Sequence, residues 1–170
     1  MVVKSRGGQP APVVPAGLDL GYLALFLGLR FNELVASQLA SDGFGDIRES
    51  HGYVIQHLID QDRTITELAG RMQVTQQAAS KVVAELIKLG AIESSVAAGK
   101  HDRRTKRIRL SHRGWRAVKL ARKVRARIER RLVKAVGVTR YDEAKRILLR
   151  GLDELGSMER IQSRRIRPSS

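Results

Sequence analysis

The sequence predicts a mostly α-helical protein carrying one small β-hairpin. Three observations point there. Apolar residues recur every three or four positions over long stretches on both sides of the chain's middle. One short segment switches to a period of two, with Ile108 and Leu110 alternating with Arg107 and Arg109. Glycines and Ser/Thr cap residues separate the periodic blocks. With 170 residues and 42% hydrophobic content, the chain is long enough to bury one sizeable core and is not composed like a disordered protein.

Residues 1–17 hold Lys4, Arg6, Gly7, Gly8 and three prolines, without the continuous apolar block of a secretion signal, which predicts a flexible tail. Leu20, Leu23, Leu27, Phe31, Leu34, Val35 and Leu39 then predict a helix over about 18–40, within an N-terminal helical region taken as 18–44. The most apolar run, Leu18–Leu29, is shorter than the ~20 residues a bilayer requires and contains Asp19 and two glycines, so no membrane helix is expected. "SDGFGD" breaks this helix, and a second one is expected over about 47–61.

The next region, 45–111, is the candidate functional domain. Thr64 with Glu67 fits a capping box, with Thr66 an alternative cap, for a short helix through Arg71. Thr75 caps a second helix that stops at Gly90, a natural left-handed terminator. Its apolar face is Ala79, Val82, Val83, Leu86 and Leu89, while Gln76, Gln77, Ser80, Lys81 and Ala84 lie on the other face. Two short helices with a tight turn describe a helix-turn-helix. "AIESSV" and Thr105–Leu110 then read as the strands of a hairpin around a flexible tip, which completes the layout of a winged helix. Residues 112–158 return to helix, with Ala117, Ala121, Val124, Ile128 and Leu132 as one stripe and a last helix capped by Thr139 with Asp142. Residues 159–170 form a basic tail.

Charge is concentrated. Residues 1–99 hold eight basic and ten acidic side chains, residues 100–134 sixteen and two, and residues 135–170 eight and five, so nearly all of the +15 excess lies in one stretch. Such a segment suits a polyanion, because each cation that neutralises a phosphate releases a condensed counterion. Aromatic content of 4% argues against single strands, which are bound by stacking on exposed rings, and leaves double-stranded DNA as the partner. The absence of cysteine excludes disulfides and thiolate metal sites and fits a reducing cytoplasm. His51, His57, His101 and His112 lack ligand spacing or a paired nucleophile, so neither an enzyme, a metal site nor a cofactor is expected.

The segments "TITELAGRMQVTQQAASKVVAELIKLGAI" and "DRRTKRIRLSHRG", in this order and spacing, resemble the winged-helix core of MarR-family transcriptional regulators, and the flanking helices extend the resemblance over about 18–157. The wing departs from the family pattern in "VAAGKH" and in Glu93. The resemblance implies a homodimer whose N- and C-terminal helices intertwine, bound to a pseudo-palindromic operator, usually as a repressor released by a small-molecule effector. In that setting Gln76 and Gln77 would read base edges, Thr75 and Ser80 bases or phosphates, and Lys81 a phosphate. Arg103 or Arg104 would reach the minor groove, with Asp102 holding the wing in shape. Lys100, Lys106, Arg107, Arg109 and Arg113 are assigned to the DNA backbone. Tyr22, Arg30, His51 and Tyr53 are candidate effector-binding residues, and Trp115 is expected in the core. The competing readings are a non-specific architectural DNA-binding protein and a metal-responsive regulator on the same scaffold.

Overall fold

The computed structural model describes residues 17–96 and 106–156. The expected tails and the wing tip, with Lys100, Asp102, Arg103 and Arg104, lie outside the described residues.

Helix α1 (Leu20–Leu39) is capped by Asp19, whose carboxylate accepts the Tyr22 N–H at 2.9 Å. The expected break at "SDGFGD" is found there, with α1 ending at Leu39. The helix widens into a π turn, Ala40–Phe44, and reverses at Gly43, whose φ of 84° is open to glycine at little cost. Phe44 is thereby buried. Helix α2 (Glu49–His57) is shorter than its apolar pattern because Arg63 is needed elsewhere: its backbone forms a β-bridge to Ile108, with N–H···O bonds of 3.0 and 2.7 Å. The intervening residues must leave the helix to reach it.

In α3 (Ile65–Met72) the Thr64–Glu67 capping box forms, Thr64 Oγ1 accepting from Glu67 N at 3.1 Å and the Glu67 carboxylate accepting from Thr64 N at 2.7 Å. Thr66 is not used as the cap. The helix stops at Gln73, a left-handed residue with φ 53°. Helix α4 (Gln76–Lys88) begins where Thr75 Oγ1 accepts the Ala78 N–H and ends before Gly90 at φ 65°. Strands β1 (Ile92–Val96) and β2 (Lys106–Leu110) pair antiparallel with Ile92 opposite Leu110 and Ser94 opposite Ile108. Helix α5 (His112–Val136) is capped by Ser111, and α6 (Val138–Glu154) follows after Gly137. The expected Thr139–Asp142 capping box is absent: α6 starts at Val138, so Thr139 already lies inside its first turn.

One core holds the central elements together. Val54, Ile55 and Leu58 of the α2 region meet Leu68 of α3, Val83 and Leu86 of α4, Ile92, Ile108 and Leu110 of the hairpin and Val118 of α5. Each fully buried aliphatic side chain of this set contributes about 1.5–3 kcal/mol. Trp115 packs against the cluster, as expected.

Polar fasteners close the rim. Buried His51 accepts the Arg48 N–H through Nδ1 at 3.1 Å and meets the Glu85 carboxylate through Nε2 at 3.2 Å, and Arg48 pairs with the same carboxylate. The His51 hydrogen bond holds the Glu85 carboxyl below its ordinary value, with the Arg48 charge assisting. Arg113 does the same for Asp46 through its hydrogen bond at 2.8 Å.

At the start of α5 the tightest approach occurs. A Cβ on Gly114 would meet the Ala91 carbonyl oxygen at 2.0 Å. Gly114→Ala is therefore expected to destabilise the protein by about 3 kcal/mol, at the upper end of overpacking costs, measured by urea unfolding. A groups-below-normal carboxylate contributes stability that is present above its unfolded pKa and lost as pH falls through its folded pKa. The thermal midpoint should thus hold between about pH 7 and 5 and fall below about pH 4. The double variant Asp46→Asn/Glu85→Gln should show a shallower fall.

Candidate nucleic-acid interface

The N-terminal end of α4 presents short polar side chains to solvent. Gln76 and Gln77 are exposed, Ser80 is half-buried and Lys81 is exposed, while Ala79, Val83 and Leu86 anchor the opposite face. The capping by Thr75 leaves the first-turn N–H groups and the positive end of the helix dipole facing outward, which favours an anion at this tip. Thr75 is exposed, yet its hydroxyl oxygen is occupied by the Ala78 N–H.

The hairpin separates its cations into different tasks. Lys106 is exposed. Arg109 is also exposed but lies across from Glu93 in the strand register and pairs with it at 2.7 Å. Arg107 departs from the expectation of an outward, phosphate-facing side chain: its Nη1 donates to the Asp62 carbonyl at 2.7 Å and its Nη2 lies 3.8 Å from Glu67. It ties the hairpin to the α2–α3 connection, which Ser95 reinforces with a 2.9 Å hydrogen bond to the Asp62 carboxylate.

Arg113 also requires revision. Its guanidinium donates to the Leu89 carbonyl at 2.6 Å, to Gly43 O at 3.1 Å and to Asp46, and it stacks over Phe44 at 5.4 Å. The side chain assigned to the DNA backbone instead locks the end of α4 and the π turn onto α5. Arg116 also lies over the Phe44 ring, 5.7 Å from its centre, but remains exposed.

The four candidate effector residues each have their own surroundings in the single chain. Tyr22 stacks on Phe26 at 6.5 Å, Arg30 pairs with Glu33 at 2.8 Å, and His51 is only 2% exposed within its Arg48–Glu85 network. Tyr53 is half-buried on α2. Among the described residues, no group of three or more His, Cys, Asp or Glu is placed to hold a metal ion.

Two residues escaped the sequence reading. Arg63 is buried and donates through Nε to the His57 carbonyl at 2.6 Å, so that its backbone can make an isolated β-bridge to Ile108 of the wing. Asp62 serves as the anchor of the hairpin. Isolated charged residues in a "DQDRT" loop give no periodic signal. The helical stretch Leu20–Phe44, at 25 residues, is long and apolar enough by length and composition to cross a membrane, which the shorter run Leu18–Leu29 did not indicate. Its second half is bonded to the protein: Arg125 donates to Asn32 at 2.9 Å and Arg127 to Gln38 at 3.4 Å.

No protein-family model matches the sequence, and no curated protein matches it. Solved structures do. A MarR family protein from Bacillus stearothermophilus superposes with a TM-score of 0.64 at 18% identity, over 81% of this chain and 93% of that one. MepR of S. aureus bound to ethidium bromide gives 0.60 at 22% identity, over 81% and 97%. A MepR F27L mutant bound to an oligodeoxyribonucleotide gives 0.54 at 22% identity, over 81% and 99%. A chain whose hairpin, capped α4 and flanking long helices superpose on these proteins almost end to end has the fold of the MarR-family winged-helix regulators.

Proposed function

We propose that this protein is a sequence-specific, double-stranded-DNA-binding transcriptional regulator that acts as a homodimer on a pseudo-palindromic operator. The observation that carries the reading is the N-terminal tip of α4, where Gln76 and Gln77 stand exposed on a rigidly capped helix. Each amide is able to bond adenine N6 and N7 together in the major groove. Lys81 supplies a phosphate contact beside them, and Lys106 supplies one from the hairpin. Arg109 does so only in competition with Glu93. Arg103 or Arg104 enters the minor groove in this reading, with Asp102 supporting the wing. The nucleotide-bound MepR mutant has the same fold and supports the assignment.

The second copy is argued from apolar surface. Leu20, Leu23, Phe26, Val138, Ile147, Leu149 and Leu155 are all exposed in a single chain, on the first and last helices. That much uncovered apolar surface marks an interaction site. A two-fold partner covering it sets two reading helices about one DNA turn apart. Repression by promoter occlusion and release by a small molecule complete the proposal, and the ethidium-bound MepR supports the second part. Tyr22 and Tyr53 are the effector contacts retained, since Arg30 and His51 already have protein partners.

Operator duplexes are obtained by selecting bound sequences from a random pool, and an inverted repeat is the expected product. On that operator Gln77→Ala should cost about 1–3 kcal/mol and leave affinity for random duplex nearly unchanged. Lys106→Ala should weaken both and reduce the salt slope by about one unit. Equal losses for Gln77→Ala on operator and random DNA would remove its base-reading role. Sedimentation equilibrium should give a dimer, and Leu149→Glu/Leu152→Glu should shift it to monomer.

A further inference from the structure

Helix α5 carries ten Lys and Arg residues and one acid, Glu129. The acid is turned aside: it interacts with Tyr141 of α6, whose hydroxyl is pushed above its ordinary value by burial and by this carboxylate. At 3.6 residues per turn, Arg116, Lys119, Lys123, Arg127, Arg130 and Lys134 fall within an arc of roughly 80°, opposite the buried Ala117 and Val124. All six are exposed, and among the described residues none has a carboxylate within ion-pair distance. Arg127, at the margin, touches only the neutral amide of Gln38.

The row runs about 27 Å at 1.5 Å per residue, one cation every 5 Å or so. Like charges this close repel one another, so the arrangement is costly unless a polyanion covers it. A straight, evenly spaced row without aromatic or large apolar residues between the cations fits the outside of a duplex, which presents regularly spaced phosphates. It lacks the apolar anchors of a membrane-surface helix and the rings of a single-strand groove.

Its position is the informative part. Helix α5 starts at the C-terminal end of α4, where Arg113 holds the Leu89 carbonyl, and continues onto α1 through Arg125 and Arg127. The reading residues Gln76 and Gln77 are at the other end of α4, about 18 Å of helix away. We propose that the outward face of α5 is a second, sequence-independent surface for duplex DNA, so that one protein holds a second duplex away from the one read by α4. The bridging function rests on the α4 reading above; the surface itself does not.

The test uses the full chain and the variant Lys119→Gln/Lys123→Gln/Arg130→Gln/Lys134→Gln, with equal helicity confirmed by circular dichroism. In one arm, protein bound to an immobilised selected operator captures a labelled unrelated duplex at about 0.1 M salt. Wild type is expected to capture it, and the variant to lose capture by more than about tenfold with a salt slope shallower by about 3 to 4 units. Operator affinity should change much less. In a second arm, Gln76→Ala/Gln77→Ala protein is immobilised through its own chain and offered the unrelated duplex. Capture here, lost on adding the four glutamines, supports the surface even where operator reading fails. Equal capture by wild type and the fourfold variant in both arms, no capture by wild type, or retention by phosphatidylserine vesicles in place of duplex overturns the proposal.

Discussion

The contact between the Ala91 carbonyl and the bare backbone of Gly114 is the constraint on which the remainder of the molecule depends. It brings the first turn of α5 against the exit from α4, and four further bonds converge on the same few ångströms. Ser111 N donates to Ala91 O at 3.2 Å, Ser111 Oγ bonds Gly90 O and caps Gly114 N, and Arg113 reaches Leu89 O. The carbonyls of Leu89, Gly90 and Ala91, just past the end of α4, are thus satisfied by the residues that begin α5. Helix α4 and the long helix α5, joined only through the hairpin, would otherwise be free to reorient. Here any displacement at one end must be felt at the other, since a close-packed joint does not deform gradually. Arg113 extends the joint to the π turn through Gly43, Asp46 and Phe44, so α1, α4 and α5 meet around one guanidinium.

The same economy of charge explains why the cations are not equivalent. Over residues 1–113, which hold fifteen basic and eleven acidic side chains, arginines find protein partners: Arg48 with Glu85, Arg63 with Asp60, Arg107 with Asp62 and Glu67, Arg109 with Glu93. Exposed pairs of this kind contribute little stability each. Their effect is positional, because a guanidinium with several fixed acceptors orients the strand or helix that bears it. In α5 the supply of acids ends while the cations continue, and the unpaired remainder lines one face.

Much of this was legible in the sequence for a physical reason: local signals coincide with local structure. Thr64, Thr75, Ser111 and Gly90 mark helix ends through bonds made within three or four residues, and the structure uses all four. The alternation around Ile108 and Leu110 placed β2 because one face of a strand is buried at a time. What failed depended on distant partners. Helix α2 ends early and Arg63, beyond it, meets Ile108, forty-five positions along in the chain, and no pattern near Arg63 announces it. Arg107 and Arg113 look like surface cations until Asp62 and Asp46 are brought to them. Thr139 resembled a cap, but Gly137 at φ 89° had already started the helix. The capped polar tip of α4 was legible because it needs only a cap and an apolar back.

In the proposed reading, recognition and electrostatic attachment are divided between different parts of the chain. Neutral amides on a capped helix discriminate by the number and direction of hydrogen bonds, and they gain little from long-range attraction. Lysines and arginines attract any phosphate backbone, and they carry no sequence information of their own. Were the unpaired cations placed around Gln76 and Gln77, every duplex would be held there with comparable strength and the amides' choice would be diluted. On that proposal, keeping most of them on α5, beyond the Ala91–Gly114 joint, would let the tip of α4 discriminate while the net charge still draws DNA to the molecule.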